Sequence, residues 1–128
     1  MYWIVYSAVI KTEPKTKKNS QKIIINKRTR RPMLVQSEDY LLYERQAGLF
    51  LPKLKEPINQ PVNIRAHFYR RTRHRVDLTN LLEALDDILV KNKIIADDDF
   101  KIVMGHDGSR VYIDKDNPRT EVYIEVIE

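Results

Sequence analysis

Two sets of carboxylates stand where metal-assisted hydrolysis could be done: Asp77, and the run Asp97-Asp98-Asp99 that follows 20 positions later. Unneutralised carboxylates held close together disfavour one another's ionisation. A divalent cation removes that conflict. Mg²⁺ needs only one or two carboxylates, filling its other positions with water and substrate phosphate oxygens. It lowers the pKa of an attacking water and stabilises a leaving oxygen, singly or as a metal pair. Alone, the Asp97–Asp99 run is an ordinary solvated turn, because aspartate favours turns. Asp77 gives it company, since it sits where a strand and a basic segment meet a helix.

The cations are arranged around this acid. Residues 11–31 hold nine lysines and arginines against Glu13 alone, a net of +8. Arg65, Arg70, Arg71, Arg73 and Arg75 add five more with no acid between them. From Asp77 to Asp99 seven acids face Lys91 and Lys93, a net of −5. A polyanion explains the basic arms. It does not explain the acids, which repel phosphate unless a cation lies between. Lys17, Lys18 and Asn19 in one loop, and Arg71, Arg73 and Arg75 just before Asp77, are therefore the expected phosphate contacts.

Other chemistries find no support. The 128 residues contain no cysteine, which excludes disulfides and thiolate metal sites and fits a reducing cytoplasm. The three histidines show no HxH or HExxH spacing, so zinc is not expected. Three glycines in the whole chain leave no phosphate-cradling loop, hence no nucleotide cofactor. A serine or cysteine nucleophile lacks its signature. No apolar run approaches a membrane span of roughly 20 residues, and MYWIVYSAVI reads as a strand rather than a signal peptide.

The elements that must position these groups form one α+β domain over 1–128, a mixed sheet with two helices packed on it. Met1–Ile10 is β-rich, and residues 11–20 are a polar loop. Gln21–Ile25 and Met33–Gln36 flank the basic turn NKRTRRP as a hairpin. Ser37 caps a helix running to about Phe50, with Tyr40, Leu41, Glu44, Ala47 and Leu51 near helical spacing. Three prolines confine 52–61 to a loop. Val62–Tyr69 alternates, with Val62, Ile64, Ala66 and Phe68 on one face of a half-buried strand.

A second helix carries the stripe Leu78, Leu81, Leu82, Leu85, Ile88 and Leu89. Asn80 with Glu83 reads as a capping box at its start, and Asn92 as its left-handed end. Asn80, Glu83 and Asp87 share one polar face of it. If this helix packs across the following strand, Asp77 and the acidic run converge at one end of the sheet. Ile94–Ile95, Phe100–Met104, Val111–Ile113 and Thr120–Ile127 are the remaining strands, with turns at 105–108 and 115–118.

The segment RRTRHRVDLTNLLEALDDILVKNKIIADDDFKIV resembles the core of the RusA family of crossover-junction endodeoxyribonucleases, the Holliday-junction resolvases of bacteria and their phages. That family carries a basic stretch, D-x-D-N, an amphipathic helix and a D-D pair at the start of the next strand. KKNSQ (Lys17–Gln21) echoes its N-terminal Lys/Asn element. The resemblance implies that Asp77, Asp97 and Asp98 bind Mg²⁺, or Mn²⁺ in its place, with Asn80 in support. It implies a homodimer, bacterial or phage-encoded and cytoplasmic, that binds a four-way DNA junction and nicks paired strands.

The chain departs from the pattern at two positions: Thr79 replaces the second motif aspartate, and Glu83 stands where a lysine is usual. Glu83 could supply the missing carboxylate, or Thr79 could mark a subfamily that uses Asp77 and Asp97/Asp98 alone or has reduced activity. The rival readings are a non-catalytic DNA-binding module, with the acids as caps and turns, and a nuclease for flaps or other branched DNA. A protein-interaction domain with a basic face leaves the acids unexplained.

Overall fold

Alternation along Val62–Arg70 sets up the sheet on which everything else is mounted. A computed structural model describes residues 2–17 and 21–127. Its elements are β1 (Tyr2–Ile10), β2 (Gln21–Ile25), β3 (Pro32–Gln36), α1 (Glu38–Leu49), β4 (Val62–Arg70), α2 (Leu78–Lys91), β5 (Val103–Gly105), β6 (Arg110–Ile113) and β7 (Arg119–Ile127). The main sheet runs β1-β7-β4-β5, with β6 also pairing β4, while β2 and β3 form a separate hairpin. β7 is antiparallel to both β1 and β4, whereas β5 and β6 run parallel to β4. The sheet is mixed, with two helices, as expected.

Val62, Ile64, Ala66 and Phe68 are fully buried and join one core with Val122 and Ile124 of β7 and Tyr6, Ala8 and Ile10 of β1. Both helices feed the same core, α1 through Tyr40, Tyr43 and Ala47 and α2 through Leu81, Leu82, Leu85, Ile88 and Leu89. At about 1.5–3 kcal/mol for each aliphatic side chain removed from water, the α2 stripe is the largest single reason that helix lies where it does. The opposite sheet face is polar and aromatic: Arg65, His67 and Tyr69 of β4 stand there, half buried.

Several local expectations are corrected. Asp77, with extended backbone angles (φ −93°, ψ 129°), is the N-cap of α2. Its carbonyl accepts from the N–H of Asn80 and of Leu81. Asn80 therefore lies inside the first turn and caps nothing. Asn92 ends α2 at φ −91°, and the left-handed residue is its neighbour Lys93 at φ 58°. Ile94–Ile95 contributes only an Ile58–Ile95 bridge. The strand expected over Phe100–Met104 shrinks to β5, because the N–H groups of Ile102 and Val103 both turn back to the Asp99 carbonyl. The acidic run thus sits in a coiled turn between a bridge and a short strand. Ser37 does cap α1, its Oγ accepting from the Tyr40 N–H at 3.2 Å.

Between β5 and β6, which run the same way along β4, the chain loops out at residues 106–109. Asn63, buried in β4, holds this turn from both sides: its Nδ2 donates to the Asp107 carbonyl (3.1 Å) and its Oδ1 accepts from the Asp107 N–H (2.7 Å). Gly108 completes this loop at φ 82°, where a Cβ would also fall 2.7 Å from Arg65 Cδ. An L side chain costs roughly 1–2 kcal/mol in that left-handed region. Gly108→Ala is expected to lower unfolding free energy by about that amount in urea denaturation followed by circular dichroism. An unchanged midpoint would show that the turn tolerates a side chain.

Candidate active site

The first two turns of α2 are placed by the burial of its stripe, and with them every acid on its N-terminal half. Asp77 is exposed, and as N-cap it makes no cap hydrogen bond through its side chain. An N-cap aspartate ordinarily spends its carboxylate on the free N–H groups of the first turn. Here Oδ2 instead receives a long 3.4 Å bond from Asn80 Nδ2, so the structure does bring Asp77 and Asn80 together. The positive end of the helix dipole favours a negative group at this place.

Asp98 lies in the turn that follows α2. Its backbone N–H donates to Asp97 Oδ1 at 2.7 Å, so one Asp97 oxygen is occupied locally. The Asp98 carboxylate makes no hydrogen bond or ion pair among the described residues. It lines an open cavity of about 230 Å³ together with Thr79, Leu82, Glu83, Asp86 and His106. Asp98 is therefore set against the first two turns of α2, beside the two positions that depart from the motif. Asp99 is a turn residue, its Oδ1 accepting from the Lys101 N–H.

Asp86 and His106 escaped the sequence reading. Asp86 is 7% exposed, and His106 Nε2 lies 2.9 Å and 3.2 Å from its two oxygens. Burial pushes the Asp86 carboxyl up, the His106 hydrogen bond and charge pull it back, and the charge of Asp98 pushes it up again. The signal was present: Asp86 stands four residues after Leu82 and three before Leu89, within the apolar stripe. Asp87 points elsewhere and forms an ion pair with Lys17.

That pair docks the loop before β2 onto α2 and already partners the Lys17 charge. Lys18 and Asn19 lie outside the described residues. Arg71, Arg73 and Arg75 are all exposed between β4 and α2. The Arg71 N–H donates to the Glu13 carboxylate (2.9 Å to Oε2), tying this segment to the loop at 11–17. Arg75 also lines a larger cavity, about 470 Å³, with Lys15, Lys22 and Arg70 opposite Glu13 and Asp39.

Among the described residues no three histidine or acidic side chains converge as a ready cage for a metal ion. The donors present are nonetheless of the kind Mg²⁺ takes, unspent exposed carboxylate oxygens. A hydrated ion needs only one or two of them, because water and phosphate complete its shell. In donor chemistry the residues fit an open, water-rich site and not a closed one.

No helix among the described residues is long and apolar enough to cross a membrane. No curated protein matches the chain. A family model described as endodeoxyribonuclease RusA matches residues 9–125. The match spans both helices, all of β2 to β6 and most of β7, and so includes Asp77, the Asp98 cavity and the arginine segment. The chain belongs to the RusA endodeoxyribonuclease family.

Proposed function

We propose that this endonuclease is Mg²⁺-dependent and resolves four-way DNA junctions as a homodimer, with Asp77 and Asp98 as metal-binding carboxylates. The observation that carries the reading is a pair of carboxylates with no cation beside them among the described residues, one at the mouth of α2 and one in the cavity beside its first turns. Asp97, bonded to the Asp98 N–H, and Asn80, bonded to Asp77, hold these ligands in place. When bound, the ion activates an attacking water and stabilises the leaving oxygen. Mn²⁺ shares that donor preference.

The chain's own groups do the rest. Arg71, Arg73 and Arg75 hold the backbone, reading shape rather than sequence. Lys18 and Asn19, outside the described residues, are further phosphate contacts in this reading, as is Lys17 wherever Asp87 releases it. A near two-fold junction is matched by a C₂ pair of equivalent sites. The β2–β3 hairpin leaves Ile23, Ile25 and Leu34 at 73%, 60% and 60% exposure, apolar surface of the kind a second copy covers.

Thr79 favours a second reading, a structure-selective DNA-binding protein without catalysis, since it places a hydroxyl where the family motif has a carboxylate. Incubating a labelled four-way junction with and without Mg²⁺ separates the two, and competing flap substrates test the preference for four-way geometry.

Asp98→Asn removes one charge at nearly constant shape. It is expected to abolish cleavage in Mg²⁺ while junction binding in gel-shift assays persists; normal cleavage by this variant would remove Asp98 from the site. Replacing Arg71, Arg73 and Arg75 together by Ala is expected to weaken binding and to flatten log Kd against log salt by up to roughly three phosphate contacts. An unchanged salt slope would take these arginines off the DNA surface.

A further inference from the structure

The cavity beside Asp98 has a composition that its acids do not explain. Glu83, Asp86 and Asp98 bring three carboxylates to about 230 Å³, and among its lining residues only His106 can carry positive charge. A phosphate entering here is repelled by all three acids, and a hydrated dication on Asp98 offsets only part of that repulsion.

His106 is not a loose surface histidine. Its Nε2 lies within hydrogen-bond distance of both oxygens of Asp86, which is buried on a helix that cannot shift without opening the core. The turn that carries it is pinned by the two hydrogen bonds between Asn63 and Asp107, and Ser109 Oγ accepts from the Ala66 N–H at 3.0 Å. The ring is therefore held from behind, and Nδ1 makes no hydrogen bond among the described residues. With Nε2–H donating to Asp86, a neutral imidazole offers only an acceptor at Nδ1. An imidazolium offers a donor there instead.

We propose that His106, oriented by Asp86, contacts the scissile phosphate in this cavity and is a catalytic residue of the endonuclease. The assignment rests on the reading of Asp98 as part of the active site. Asp86 is then a positioning residue, and Nδ1–H of His106 donates to a non-bridging phosphate oxygen whose charge grows as the water attacks.

Single-turnover cleavage of a labelled four-way junction in Mg²⁺ tests this with His106→Asn and His106→Lys beside Asp98→Asn. The expected result is a loss on the order of 100-fold for His106→Asn, as for removal of one preorganised donor, with junction binding in EDTA and the melting temperature little changed. His106→Lys, which restores a cation, is expected to recover a substantial part of the rate. A second measurement needs no variant: the assigned His106 ring resonance of the wild-type protein should shift when four-way junction is added with Ca²⁺ in place of Mg²⁺.

Near-wild-type cleavage by His106→Asn, with Asp98→Asn inactive, overturns the role of His106 and leaves the site reading standing. Asparagine and lysine variants equally slow and equally destabilised would make the pair a latch between α2 and the turn, which also overturns it. So would an unmoved His106 resonance in a saturated complex. Normal cleavage by Asp98→Asn instead overturns the site reading on which the assignment rests.

Discussion

Everything at the site depends on how α2 buries its stripe. Leu81, Leu85, Ile88 and Leu89 are at most 1% exposed, and they fix both the rotation of the helix and its depth against β4. Interiors packed to this density do not accommodate small shifts gradually. Once the stripe is in place, Asp77 must lie at the helix mouth and Asp86 must be dragged partly into the core. Thr79 and Glu83 must then face the turn that carries Asp98. Function has been written on the narrow border between the buried face and the wet one.

The electrostatics follow the same geometry. A chain of net charge +5 is built to meet a polyanion, yet seven of its 18 acids fall between Asp77 and Asp99, on α2 and the turn after it. The fold handles these acids in three different ways. Asp87 is paired with Lys17, and Asp86 is buried against His106, each by contact with another segment. Asp77 and Asp98 are left without a cation among the described residues. Asp77 follows directly on the exposed arginine segment, and an exposed carboxylate without a cation is the kind of oxygen donor that a hydrated Mg²⁺ takes. The family match over residues 9–125 gives that arrangement its class of chemistry.

Much of this was legible in the residue order. Period-two alternation announced β4, the leucine stripe announced α2, and Ser37 announced α1, because each signal is local and arises from burial or capping alone. The basic segment, D-x-x-N, helix and acidic pair together announced the family. What failed was decided by backbone detail or by distance. Asp77 and Asn80 are both good caps, and only the dihedral angles choose between them. Lys93 takes the left-handed position that Asn92 would more readily fill. His106 and Asp86 meet across 20 residues through a sheet whose parallel β4–β6 pairing leaves no local trace.

The central claim is that Asp77 and Asp98 share one hydrated divalent ion. The most direct measurement is the anomalous diffraction of Mn²⁺ soaked into crystals of the protein. A peak is expected between the two aspartates, within ligand reach of about 2.1–2.2 Å of an oxygen from each. A peak elsewhere in an active enzyme, or carboxylates standing more than about 10 Å apart with no ion between them, several times what a shared ion could span, would contradict it.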